Sequence, residues 1–436
     1  MKRAALILFI SLLSRAQVLT LNDAVALAVK ENRNVQISAL DIAKAGEVVA
    51  ETKTNRLPQI SAYILGGESL TPIDFTIPRG ALGVYPATGP IPAQNASIST
   101  PQDFNALIYV TAAQPVTQLR KIGLAIRESH IGEEMAQESL RQKKLETTRQ
   151  VKEAYYQIVQ TQTQIGSAQE SLKYLTELAA LTERNLAEQT VLKSDSLNVK
   201  AKLSQQRYQL LVLQDTLASQ KEALNRLLAR DLATDFSVEE QPLPTPEELD
   251  LAAARKAAVE QRSEIREARL QTKKSELEIR RERAEYLPDI SVQMSYISLP
   301  NISFAPKNIL SAGFLLQWQP FDWGQKKHKI EELRSTSRQA ALTEQDAQQQ
   351  VLLDVNQKFR KLMETRALLD TQAAVQETER EKLRVMMNQY REKASLLADL
   401  LQQQASVAQA DSQYQQALAG FWTAKASFDQ AVGRDQ

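Results

Sequence analysis

Two periodicities share this chain. Leu352, Val355, Phe359 and Leu362 recur at steps of three and four, and Leu203, Leu210, Leu217 and Leu224 recur every seven. Both are the spacings of a helical seam. Other windows alternate at period two, as strands do. The alternation is strict in Ile290-Ser291-Val292-Gln293-Met294-Ser295-Tyr296, and Leu310, Ala312, Phe314, Leu316 and Trp318 are separated by Ser311, Gly313, Leu315 and Gln317. Ile60, Ala62 and Ile64 alternate less cleanly, because Tyr63 and Leu65 occupy the other face. Ile108-Tyr109-Val110-Thr111 continues into a fourth strand. The pattern predicts two hairpins, with strands over about 59–66 and 105–114, then about 289–297 and 309–319. The first hairpin has a long loop rich in Gly and Pro, about 67–103, and the second a short one, about 299–308.

Proline separates the two regimes. Of the 15 prolines, none falls in 116–241 or 321–436. Interior proline costs a helix about 3 kcal/mol, so both tracts are free to form very long helices. Each is expected to break once, near 188–194 and near 391–395. The first arm, roughly 118–188, would be on the order of 100 Å long at 1.5 Å per residue. Such arms bury too little alone and must pack on each other and on other chains. Lys2 and Arg3 followed by the apolar run 4–13 and Ser14-Arg15-Ala16 read as a secretory signal peptide over 1–16. Ten apolar residues are too few to span a bilayer.

The chain also repeats itself. Arg56-Leu57-Pro58-Gln59-Ile60-Ser61 matches Tyr286-Leu287-Pro288-Asp289-Ile290-Ser291 at an offset of 230, as Ala24 and Ala28 match Ala254 and Ala258. Past the hairpins, Gln114-Pro115 matches Gln319-Pro320 at 205; Val151, Tyr155, Asp195, Leu197 and Ala201 match Val355, Phe359, Asp399, Leu401 and Ala405 at 204. Each half therefore reads helix, hairpin, long helix, break, helix. The repeats are expected over 17–234 and 249–433, joined by a Pro-rich linker over 235–248.

Composition narrows the function. The chain has no Cys, two His and a net charge of +1. That gives no disulfide framework, no thiolate metal site, no lipid-modified cysteine, no support for a zinc or His-based catalytic centre and no nucleic-acid signature. No metal, cofactor or catalytic residue is expected, nor an enzyme. His130 and His328 read as solvated, and Arg280-Arg281-Glu282-Arg283 as an exposed helix face. A mean hydropathy of −0.35 argues against a bundle of membrane-spanning helices.

Four antiparallel strands leave two open edges, which are aggregation-prone in water and forbidden in a bilayer. Closure with copies of the chain removes them. Two chains give eight strands with a filled interior, and three give twelve with room for a lumen. Lipid would meet the apolar strand faces, with Tyr63, Tyr109, Tyr296 and Trp318 as candidates for the aromatic girdles. The alternatives are a soluble β-subdomain capping a helical rod, or a periplasmic coiled-coil structural or adaptor-like protein without a pore.

The duplicated plan, the turn Trp318-Gln319-Pro320-Phe321-Asp322-Trp323-Gly324 and the run Asp399-Leu400-Leu401 resemble the TolC family of outer-membrane efflux proteins, over essentially the whole chain after residue 16. The resemblance implies a mainly α fold with a small β part: a homotrimer whose strands form one 12-stranded outer-membrane β-barrel, continued by a periplasmic α-helical barrel. It implies a passive exit duct in a Gram-negative bacterium for small molecules or proteins, in tripartite efflux or type I secretion. The implied partners are a periplasmic adaptor (membrane fusion) protein, an inner-membrane RND-type pump or ABC transporter, and outer-membrane lipid.

The same resemblance implies the site. The helix breaks become the adaptor-contact tip, at Gln189, Thr190, Val191 and at Lys393, Ala394, Ser395. The family usually has Gly where Gln189 and Lys393 stand. Gly gives access to positive φ, so its absence suggests a tighter helical turn instead. Asp399 matches an aspartate lining the periplasmic entrance and Tyr390 a tyrosine holding it shut; Gln402 stands where the family has a second entrance acid. Asp195, the repeat counterpart of Asp399, reads as a surface residue.

Overall fold

The computed structural model describes residues 17–434 apart from 69, 72, 101–103, 190, 241–242, 245–249, 301–305 and 393. The leader expected over 1–16, and Thr190 and Lys393, lie outside the described residues. In chain order the elements are β1 (Gln17–Leu19), α1 (Leu21–Glu31), α2 (Arg33–Thr54), β2 (Gln59–Glu68), β3 (Ile73–Ile77), β4 (Val84–Tyr85), β5 (Gly89–Pro90), β6 (Ala96–Thr100), β7 (Phe104–Pro115), α3 (Leu119–Ala187), α4 (Lys193–Leu227), β8 (Phe236–Val238), α5 (Leu251–Gln261), α6 (Ser263–Ala284), β9 (Asp289–Ser298), β10 (Asn308–Gln317), α7 (Gln325–Arg391) and α8 (Leu397–Val432). The uninterrupted helices α3 and α7 hold 69 and 67 residues. Contacts divide the chain into two units, one comprising residues up to Ile42 with Met135–Arg269 and Ala341–Gln436, the other Ala43–Glu134 with Leu270–Ala340.

The first unit holds two apolar cores, one per repeat. Leu19, Ala24, Ala28, Val151, Tyr155, Ile158, Leu224, Leu228 and Phe236 form one. Ala254, Ala258, Val351, Val355, Leu362, Leu369, Phe421, Phe428 and Val432 form the other. The alanines of α1 and α5 are buried because only a small side chain lets those short helices lie close against the long ones. Trp422 packs against both cores, its ring stacked on Tyr156 at 5.8 Å. The buried seam of α7 runs through Val351, Val355, Leu362 and Leu369, leaving Leu352 and Phe359 of the sequence-derived seam only half-buried.

The duplication extends to the hydrogen bonds. Thr20 caps α1 by accepting from the Asp23 N–H, and Asp250, 230 residues on, caps α5 by accepting from the Ala252 N–H. Asn32 ends α1 and donates from Nδ2 to the Leu227 carbonyl at 2.8 Å; its counterpart Arg262 ends α5 and donates to the Ala431 carbonyl at 3.1 Å. The last turns of α4 and α8 close alike, with the Arg230 N–H donating to Asn225 O at 2.9 Å and the Arg434 N–H to Asp429 O at 3.0 Å. Both turns need a left-handed residue. The second repeat uses Gly433 and the first Ala229, at φ 54°.

Two features differ from the sequence reading. The start of the stretch read as a linker is β8, which pairs in parallel with β1, Phe236 opposite Gln17, and buries Phe236. Tyr155 holds this pair: its buried hydroxyl donates to Leu19 O at 2.9 Å and accepts from the Glu239 N–H at 3.0 Å. A three-residue strand is too short for its alternation to be read. The long loop of the first hairpin also carries structure, β3 with β6 and β4 with β5.

The second unit is built on a four-stranded antiparallel sheet ordered β10-β9-β7-β2. The inner pair, β7 with β9, joins the two repeats, with Val110 opposite Tyr296 and Ala112 opposite Met294. The strands extend slightly beyond the alternating windows, except that β10 stops at Gln317, before Pro320, which has no N–H to pair. At the foot of the sheet, Thr117 Oγ1 donates to Pro288 O and accepts from the Ile290 N–H, both at 2.8 Å. Lys121 Nζ lies 2.8 Å from both Glu285 Oε2 and Asp289 Oδ1. Burial pulls the Lys121 ammonium down, but hydrogen bonds to Asp289 and Glu285 and their charges outweigh it, so its pKa stands above the usual value.

Tyr155→Phe is expected to leave Leu19 O and the Glu239 N–H without their buried partner and to cost about 1–2 kcal/mol. A thermal melt of the detergent-purified protein followed by circular dichroism is the check. The midpoint should fall by about 2–4 °C per kcal/mol, the scale for domains of roughly 200 residues.

Candidate functional site: the sheet surface and the helix breaks

Strand registry assigns every sheet residue to one of two faces. One carries Ile60, Ala62, Ile64, Ile108, Val110, Ala112, Val292, Met294, Tyr296, Leu310, Ala312, Phe314 and Leu316. It is open: Ile60 and Ile64 are each 75% exposed and Phe314 78%. The other face carries a row of polar residues, Ser61, Thr111, Gln293, Ser295 and Ser311, with hydroxyl pairs at 2.7 Å (Ser61 with Thr111) and 2.6 Å (Ser295 with Ser311), and with them Tyr63, Leu65, Leu107, Tyr109, Ile297, Ile309 and Leu315. A soluble sheet buries its apolar face and wets its polar one. Here the apolar face is open instead. The outer edges of β2 and β10 have no strand partner among the described residues. Ten-residue strands have the length that a tilted crossing of the hydrocarbon layer needs. No described helix is long and apolar enough to cross a membrane.

The four girdle candidates separate on this sheet. Tyr63 and Tyr109 face each other in registry and stack at 6.5 Å, on the face of Ser61 and Thr111 rather than the apolar one. They are therefore misplaced for an outer girdle, because one step of parity moves a side chain through the sheet. Tyr296 lies on the apolar face, its hydroxyl donating to Asn308 Oδ1 at 2.9 Å. Trp318 follows β10 at the foot and donates from Nε1 to Tyr286 O at 3.3 Å.

The helix breaks form the second candidate site, in the first unit. After α3, Gln189 takes φ 60°, the left-handed conformation expected only of Gly there. The chain thus turns without glycine, and the tighter helical turn is not what forms. Leu192 is then extended, and Asp195 Oδ2 accepts from its N–H at 3.4 Å. After α7 the Ala394 N–H donates to Gln389 O, and Leu396 is extended with nearly the same angles as Leu192. Leu192 and Leu396 are related by the offset of 204, and each is 70% exposed. Leucine is a poor residue before a helix, yet it recurs before α4 and α8 alike. Gln189 and Ala394 are exposed, and Val191 and Ser395 half-buried.

The three residues expected at the entrance lie near the second break. Asp399 is exposed on the first turn of α8, and Gln402 is exposed one turn on, its carbonyl accepting from Ser406 Oγ at 3.2 Å. Tyr390 is half-buried, and its hydroxyl is pushed above the usual tyrosine range, first by burial and then by the negative charge of Asp195. Asp195, read from sequence as a surface residue, is half-buried, braces the start of α4 and acts on the tyrosine of the other repeat.

No protein-family model and no curated protein matches this chain. Solved structures do. It is similar to the CmeC outer membrane channel of Campylobacter jejuni, with a TM-score of 0.76 and 13% identity over 95% of this chain and 85% of that one. It is similar to the outer membrane protein VceC of Vibrio cholerae, with a TM-score of 0.74 and 14% identity over 95% and 96%. It is also similar to the open state of the Neisseria gonorrhoeae MtrE outer membrane channel, with a TM-score of 0.72 and 15% identity over 95% and 89%.

Removing the Asp195 charge should ease ionisation of Tyr390. In an alkaline ultraviolet difference titration, Asp195→Asn is expected to shift one tyrosinate component to lower pH. Tyr390→Phe should abolish that same component; a shift that survives in Asp195→Asn/Tyr390→Phe would assign it elsewhere.

The open apolar sheet face, the matched helix breaks and agreement over nearly whole chains lead to one conclusion: this chain has the fold of the TolC family of outer-membrane channels.

Proposed function

We propose that the chain is the outer-membrane exit duct of a tripartite efflux or type I secretion system in a Gram-negative bacterium. The observation that carries this is the exposed apolar face of a sheet whose other face carries a row of hydroxyls, Ser61, Thr111, Ser295 and Ser311, and whose outer edges have no strand partner among the described residues. Three copies close twelve strands into a barrel with Ser, Thr and Gln toward the lumen. Export is passive, and an inner-membrane RND-type pump or ABC transporter supplies the energy. The 17–234 and 249–433 repeats each contribute one hairpin to the barrel and one long helix pair to the periplasmic conduit.

The helices support the trimer. Leu197, Tyr208 and Leu211 on α4 and Leu342, Leu353 and Leu368 on α7 leave apolar positions exposed along otherwise polar helices. An apolar stripe on a helix is normally covered, and a neighbouring copy is the cover proposed here. The breaks at Gln189, Val191, Ala394 and Ser395, together with Leu192 and Leu396, are the contact for the periplasmic adaptor. Tyr390, held near Asp195, keeps the entrance narrow, and three copies of Asp399 place a ring of carboxylates there, favouring cations over anions. Gln402 leaves that ring at one acid per chain.

Single-channel recording in a planar bilayer tests this. Wild-type protein extracted with detergent is expected to give small, cation-selective steps, and Asp399→Ala to give larger or less selective ones. Unchanged selectivity in the variant would remove Asp399 from the entrance. A protein that stays soluble without detergent and never conducts would overturn the duct.

A further inference from the structure

The turn between β10 and α7 exposes more apolar surface than its role as a connection requires. Trp323 is 88% exposed, Phe321 is 66% exposed, and their rings meet edge to face at 4.7 Å. Trp323 also holds φ 56°, a conformation a bulky side chain rarely adopts. Asp322 secures it, accepting from the Gly324 N–H at 3.1 Å and the Lys326 N–H at 3.0 Å. The first repeat makes the equivalent connection with Val116 and Gln118 at the positions of Phe321 and Trp323. The fold therefore does not demand the aromatic pair.

The surroundings state what the pair meets. Leu310, Ala312, Phe314 and Leu316 run down the apolar face of β10, and Trp318, Phe321 and Trp323 follow at its foot. Tyr286 and Leu287 are exposed at the foot of the neighbouring β9, and Leu57 at the foot of β2. Among them lie four exposed cations, Arg56, Arg120, Arg283 and Lys327, none with a carboxylate partner among the described residues. Most nearby acids are engaged: Glu285 and Asp289 by Lys121, Asp322 by the turn and Lys326, and Glu332 by Lys329, on which the charge of Glu282 also acts. The surface left over is aromatic and positive.

We propose that this foot is a docking surface for anionic phospholipid in the helix-side leaflet of the bilayer, with Trp323 and Phe321 seated at the acyl–headgroup boundary and Lys327 on the headgroup phosphate. The proposal rests on the outer-membrane reading above. Amphipathic rings belong at that depth, and cations beside an anionic bilayer surface are attracted to its headgroups. The lipid fits both halves of the surface and its continuity with the apolar sheet face.

The test is fluorescence quenching by brominated lipids in full-length protein reconstituted into phosphatidylcholine vesicles. The Trp323 signal is taken as the component lost in Trp323→Phe. Brominated phosphatidylglycerol is expected to quench it with an apparent affinity about fivefold above brominated phosphatidylcholine, the factor one lysine near an anionic surface supplies. Lys327→Gln should bring the ratio close to one, and Lys327→Arg should keep it. Equal quenching by the two lipids in the wild type, or a preference untouched in Lys327→Gln, overturns the proposal. Quenching of Trp318 without Trp323 overturns it by placing the turn outside the bilayer. Failure of the protein to enter vesicles, with no tryptophan quenched by either lipid, overturns the outer-membrane reading itself.

Discussion

Everything in this chain follows from a sheet that cannot be satisfied by the chain alone. Its four strands pair internally, yet the outer edges of β2 and β10 have no partner strand among the described residues, and its apolar face is exposed. In water that combination invites edge-to-edge association. In hydrocarbon the apolar face is stabilised, but an open edge costs several kcal/mol for each unpaired group. A closed ring of copies within lipid meets both demands together. The polar pairs Ser61 with Thr111 and Ser295 with Ser311 then face inward.

Duplication explains how one chain supplies this geometry, and divergence shows where the copies took on different work. The helix caps, the alanines under the short helices and the closing turns of α4 and α8 are shared between repeats. Tyr155, which holds β1 and β8, has Phe359 as its counterpart, which has no hydroxyl to offer. The breaks differ too. Asp195 lies close enough to Tyr390 to raise its pKa, whereas Asp399 is exposed.

Most of the fold was legible because its signals are long. Proline-free tracts, period-two windows and matched offsets of 230 and 204 each extend over many residues, so local accidents average out. What the sequence hid is short or depends on parity. β1 and β8 hold three residues each and carry no readable alternation. Tyr63 and Tyr109 look like girdle residues by type, but their neighbours in registry put them on the polar face. The left-handed turn at Gln189 lacked its usual glycine signal, so no residue type announced it. The closeness of Asp195 to Tyr390 depends on how helices of different repeats pack, which no local pattern encodes.

The central pairing of β7 with β9 sets an order of events. Each hairpin closes locally, but the two join only across the long helical excursion through α3 to α6, with Ile108 opposite Ser298. Non-local pairing pays its loop-closure entropy first and is slow. Helices and hairpins therefore form early, and the seam that makes one sheet of them forms late. Until it does, a single newly made chain offers four sticky edges rather than two. Safe passage to the membrane is thus a kinetic problem for this architecture as much as a matter of final stability.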